Sequence, residues 1–164
     1  MTTDLLILQA LRHSTLTEEL RDAEIDALAK LITVRDFKAG DVLVQPSEAS
    51  EDTLLILGSG EVEADAVVGN DKMKLHLLKP GDLAGIIGFV GGSATQVSAT
   101  VVAKTDGKML LLDRVRFETL LNNQPAIVYY VMRGIIRHVH GIVRRMNLQS
   151  VEMSKYIYKL GSKY

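Results

Sequence analysis

The sequence predicts a mainly β protein: a jelly-roll barrel flanked by helices and followed by one long C-terminal helix. Two observations carry this. Short β-forming stretches recur from Val34 to Asp113, separated by turn signals, and a long helical apolar stripe follows Pro125. The strand-like stretches are VRDF, DVLVQ, DTLLILGSG, EVEADAVV, KMKLHLL, QVSATVVAK and KMLLLD. Between them fall Lys38-Ala39-Gly40, Gly58-Ser59-Gly60, Lys79-Pro80-Gly81 and Thr105-Asp106-Gly107. Spacing of this kind predicts at least seven strands in a double-stranded β-helix (jelly roll).

The flanking elements follow from period. Leu16, Leu20, Ile25, Leu28, Leu31 and Ile32 recur at helical spacing, with Thr17-Glu18-Glu19 as the expected helix start. A short helical stretch runs from Arg114 to Asn123. Beyond it, Val128, Met132, Ile135, Val139, Ile142, Met146, Met153, Tyr156 and Leu160 trace a heptad seam with Gln149 as its polar intruder. The division expected is residues 1–125 for helices and barrel and 126–164 for the long helix. The apolar part of that helix is about 50 Å long, more than a small barrel covers. A parallel two-fold partner would cover the rest, through Met132, Ile135, Val139, Ile142 and Met146.

Composition sets outer bounds. A chain of 164 residues suits one domain with a real core. Its net charge of −1 gives no pull toward nucleic acid or an anionic membrane. It has no cysteine, which excludes disulfides, thiolate metal sites and a cysteine nucleophile. Leu5-Leu6-Ile7-Leu8 follows Asp4 rather than a basic residue, and no run approaches the roughly 18 apolar residues of a membrane span. A cytoplasmic, non-membrane protein is expected.

Other polar patterns have simple readings. His138-Val139-His140 has the His-x-His form of cupin metal sites, but on a helix two residues lie about 200° apart, so a shared metal is not expected. His13 and His76 stand isolated in the sequence. Arg133, Arg137, His140 and Arg144 form a basic stripe that reads as a solvated helix face, with an acidic partner or a phosphate backbone as the sharper alternative.

Four segments then fall in a telling order: LTEELRDAEIDALAKLITVRDFKAGDVLV, LLILGSGEVEA, LHLLKPGDLAGIIGFVGG and SATVVAKTDGKMLLLDRVRFETLL. Over about residues 16 to 147 the chain resembles the cyclic-nucleotide-binding domain of the catabolite-activator and protein-kinase-A regulatory families. The resemblance implies a regulatory ligand-binding module rather than an enzyme. It also implies a homodimer, with residues 114 to 135 as the moving element and output to a partner protein. After Met146 the sequence continues as helix where DNA-binding relatives carry a winged helix-turn-helix, so direct DNA binding is not expected.

The resemblance also places the ligand site, at Gly85, Ile86, Ile87, Gly88, Gln96, Val97 and Ser98. In the family a Gly-Glu pair holds the ribose and an arginine about ten residues on holds the cyclic phosphate. Here Gly85 keeps the glycine, Ile86 stands at the glutamate position, and Val97, or Gln96 with a one-residue shift, at the arginine position. The glycines 81, 85, 88, 91 and 92 offer backbone amides as an anion cradle or simply as tight turns. A cyclic nucleotide is therefore a disfavoured cofactor, because one missing partner of a buried charge pair costs about 2–5 kcal/mol. The remaining alternatives are a structural interaction dimer with a vestigial pocket and a cupin-like metal enzyme.

Overall fold

The structure, a computed structural model, describes residues 2–45, 52–68, 71–91 and 99–161. Eight antiparallel strands are described: β1 (Ile32–Phe37), β2 (Val42–Val44), β3 (Thr53–Ser59), β4 (Val62–Val68), β5 (Asp71–Leu78), β6 (Leu83–Ala84), β7 (Ala99–Ala103) and β8 (Gly107–Asp113). They form two four-stranded sheets, ordered β1-β8-β3-β6 and β2-β7-β4-β5. Neighbours that are not consecutive in sequence give the jelly-roll winding. Two-residue β6, too short to show an alternation, is the strand that sequence periodicity does not reveal.

The two sheets differ in their burial, and the sequence carries the difference. In the first, β3 reads LLIL without polar alternation because both its faces are covered. Leu54 and Ile56 pack under the helices, while Leu55 and Leu57 face the second sheet with Val62, Val101 and Met109. In the second sheet β4 begins VEAD, alternating because its outer face carries charge: Glu63 pairs with Lys74 at 2.9 Å and Lys104 at 3.5 Å.

The helices form a layer on the first sheet. Helix α1 (Thr3–His13) buries Ile7, Ala10 and Leu11, a turn of 3-10 helix (Thr15–Thr17) follows, and α2 (Asp22–Ala29) buries Ile25 and Leu28. The expected helix start at Thr17-Glu18-Glu19 is corrected. Thr17 turns its hydroxyl back onto the Leu11 and Ser14 carbonyls, and α2 begins after Arg21, whose backbone N–H donates to the Glu24 carboxylate at 2.8 Å.

The short helix α3 (Ile86–Phe89) lies between β6 and β7, and past β8 come α4 (Arg114–Glu118), α5 (Leu120–Asn123) and the long α6 (Pro125–Gly161). Proline suits the first helical position, where no N–H is needed. The base of α6 is seated on the 3-10 turn. Ile127, Val131 and Ile135 are buried in the helical core, each contributing about 1.5–3 kcal/mol. Gly134 makes the contact close: a Cβ there would lie 2.6 Å from the Thr15 carbonyl oxygen and 2.7 Å from Leu16 Cα. Glu18 and Glu19 clamp the same joint, with Arg133 Nε 3.1 Å from Glu19 and Arg137 at 3.2 Å from Glu18 and 3.0 Å from Glu19. Two members of the basic stripe, Arg133 and Arg137, thus find their acidic partners within the chain, just past the turn.

This seating corrects the heptad seam. Ile135 is 3% exposed and Met132 packs against the same core, so neither faces outward, whereas Ile136 is 66% exposed. The outward apolar line is Ile136, Val139, Val143, Met146, Met153, Ile157 and Leu160, a quarter-turn from the face that seats α6.

Two glycines of α6 test the seating. Gly134→Val should push the helix off the turn and cost about 1–3 kcal/mol. Gly141, whose Cβ would meet nothing within 4 Å, should accept alanine with a gain of about 0.5–1 kcal/mol. Thermal unfolding of the two variants should move in opposite directions from wild type.

Candidate functional site

The site begins at a corner that only glycine makes. Gly85 has φ of 73°, and a Cβ there would meet the Thr53 carbonyl oxygen at 2.8 Å. The turn of α3 follows, anchored by Phe89, which stacks at 5.4 Å and a 45° tilt on Phe117 of α4. The N–H groups at and just past its C-terminal end are occupied within the turn. Phe89 N–H donates to Gly85, Val90 to Ile86 and Gly91 to Gly88, while Gly81 N–H donates to Leu57. Gly81 and Gly91 are thus turn-formers rather than an anion cradle, and Gly92 lies outside the described residues.

Beside this corner a cavity of about 1000 Å³ opens between barrel and long helix. Its barrel side is aliphatic, formed by Leu43, Val44, Leu55, Leu78 and Val101. Gly85, Ile86, Ile87 and Gly88, the first four of the expected site residues, line it. Gln96, Val97 and Ser98 lie outside the described residues. The lid is α6, with His138, Ile142, Arg145 and Gln149 at four-three-four spacing on one face and Met146 and Met153 at its border. Ile142, expected in the dimer seam, lines the cavity.

A polar corner joins barrel to lid. His76 of β5 places Nε2 3.7 Å from Asp82 Oδ2, and the same carboxylate oxygen accepts the Lys79 backbone N–H at 2.9 Å. His138 faces this pair from α6. Burial holds the His138 pKa below its ordinary value of 6.5; Asp82 opposes the shift, while Arg145 and His76 add to it. His140 is exposed, as helical geometry requires of a residue two positions on. Among the described residues no three His, Asp or Glu side chains are placed to hold a metal ion. Sequence reasoning missed the corner because His138 lies more than fifty positions from His76 and Asp82. The one local signal was the polar interruption of an apolar stripe at His138, Arg145 and Gln149.

A helix-lidded β-roll with a glycine corner at the cavity edge defines a ligand-binding module. Residues 34–124 match the cyclic nucleotide-binding domain family, and the chain belongs to it. The fold is similar to a cyclic nucleotide-binding domain from Methylobacillus flagellatus, at 18% identity and TM-score 0.79, covering 92% of this chain and 83% of that one. It is similar also to the regulatory subunit of a cAMP-independent protein kinase A from Trypanosoma cruzi bound to guanosine. That match has 25% identity and TM-score 0.61, and covers 73% of this chain and 42% of that one. Neuropathy target esterase sws from Drosophila yakuba is 20% identical over 152 residues, 87% of this chain and 10% of that protein. The chain thus spans about a tenth of the length of the curated relatives it matches. Among the described residues no helix is long and apolar enough to cross a membrane.

The His138 environment sets a pH dependence. The folded chain protonates this imidazole less readily than the unfolded chain, so its neutral form is the one the fold accepts. It costs nothing at pH 8, and stability falls as the pH drops through 6.5, levelling off below the folded-state pKa. His138→Leu should flatten the melting-temperature profile between about pH 8 and 5 relative to wild type. An unchanged slope would exclude His138 as its source.

Proposed function

We propose that this chain is a non-enzymatic regulatory module that senses a small ligand in the barrel cavity and reports it through α6. The observation that carries this reading is the lid itself. An occupant of the cavity touches His138, Ile142 and Arg145, which belong to the same helix whose outward face is unpartnered. Ligand and output therefore act on one rigid element. The ring contact of Phe89 with Phe117 gives the glycine corner a second link to the α4–α6 hinge.

Cyclic AMP is not the ligand held in the family's usual way. Ile86 brings an aliphatic side chain to the cavity where the resemblance calls for a carboxylate, and Val97 stands where it calls for arginine. The guanosine-bound kinase subunit supports this, since it is a cAMP-independent relative with another occupant. A cavity of about 1000 Å³ favours a working pocket over a vestigial one filled by its own side chains.

The output is a homodimer whose partner protein reads the disposition of α6. Ile136, Val139, Val143, Met146, Met153, Ile157 and Leu160 supply a three-four seam, broken only at Ser150.

Calorimetry should give a cyclic AMP dissociation constant above about 100 μM, and Ile86→Glu with Val97→Arg should improve it. Micromolar binding by the wild type would overturn the ligand reading. Ile136→Asp with Val143→Asp should leave a folded monomer by light scattering, because it puts four charges into a dry seam. Ile135→Asp should instead unfold the domain, since that residue lies in the core. A wild type that is monomeric at tens of micromolar would remove the dimer from this account.

A further inference from the structure

The cavity has two chemically distinct ends. The barrel end, from Leu43, Leu55, Leu78 and Val101, is aliphatic, and among the described lining residues there is no Phe, Tyr or Trp on which a nucleobase would stack, the only rings being the imidazoles of His76 and His138 at the lid end. The lid end carries the charge. Asp82 and Arg145 are the formally charged groups among the described lining residues. Asp82 is already engaged, by the Lys79 N–H at 2.9 Å and by His76 at 3.7 Å. Arg145 forms no ion pair among the described residues. This sets it apart from Arg114, Arg133 and Arg137, which pair with Asp52, Glu18 or Glu19.

We propose that the cavity takes an amphipathic monoanion, an apolar body lying against the strands with a single acid group at Arg145. The assignment rests on the reading of the cavity as a ligand site and adds the chemical class. The glycine corner is apolar at Ile86 and Ile87, so the anion subsite moves to the other side of the cavity, from barrel to helix. Arginine suits this place because its planar fork can grip a carboxylate or phosphate through two parallel hydrogen bonds. An aliphatic body fills the barrel end without leaving polar groups unpaired, whereas a nucleoside would bury several. The acid group then ties the ligand to α6, one turn past Ile142.

The test uses the full chain and four probes in calorimetry at pH 7.5: decanoate, decan-1-ol, guanosine and cyclic AMP. Decanoate should bind at one per chain and roughly tenfold more tightly than decan-1-ol, the difference being the charged contact. Arg145→Gln should bring decanoate to the level of the alcohol and leave the alcohol unchanged. Arg145→Lys should keep most of the preference, and Arg144→Gln, which alters an exposed residue outside the lining, should keep all of it. Equal binding of acid and alcohol by the wild type, or a preference that survives Arg145→Gln, would overturn the proposal. Tighter binding of guanosine or cyclic AMP than of decanoate would overturn the ligand class while leaving the sensor reading intact. No binding by any of the four would remove both.

Discussion

The seating of α6 on the 3-10 turn at Thr15–Thr17 determines most of what this protein presents. Gly134 removes the side chain that would otherwise hold the helix away from Thr15 and Leu16. Ile127, Val131 and Ile135 then fill the space beneath it. A helix is stiff over several turns, so its base sets its course. Fixing four residues near the base also fixes where His138, Ile142, Arg145 and Gln149 arrive, over the mouth of the barrel. The ion pairs of Glu18 and Glu19 with Arg133 and Arg137 lie partly in solvent, and such pairs each contribute little. Their role is orientation, holding the helix about its axis so that one face meets the cavity and another looks outward.

The cavity exists because the two sheets are unequally filled. Phe37, Leu57, Val62 and Met109 close the space between them at one end. Elsewhere the strands present small and aliphatic residues, Ala64, Ala84 and Val101, and the chain turns at the Gly85 corner beside the cavity. Close packing is the rule inside proteins, so an unfilled volume of this size bordered by polar groups marks a place kept open. Its walls come from three directions: the strands, the glycine corner and the helix. Movement of the helix would therefore change its volume directly.

The polar groups that line the cavity gather where the barrel meets the lid. The glycine corner carries Ile86 and Ile87, while the opposite wall gathers His76, Asp82, His138 and Arg145. His76 and Asp82 belong to the barrel side, and His138 and Arg145 sit on the helix. That places the electrostatic content of the pocket where it bears on the position of α6, and burial keeps His138 neutral at ordinary pH.

Much of the architecture was legible in the residue pattern because it depends on local period. The uninterrupted LLIL and MLLL runs announce strands covered on both faces, Lys79-Pro80-Gly81 a turn, and Gln124-Pro125 the start of the long helix. The glycine corner at Gly85 and the aliphatic residues after it were legible too, by their order in the chain. The face that each apolar residue of α6 turns inward was not. Heptad spacing fits Ile135 and Ile142 or Ile136 and Val143 equally well, since neighbouring positions differ only by about 100° of rotation. Tertiary structure decided between them through the close approach at Gly134, which commits Ile135 to the core and Ile142 to the cavity. The polar corner was hidden for a related reason. His76, Asp82 and His138 become neighbours only after the barrel closes and the helix crosses it, and period along the chain carries no record of that crossing.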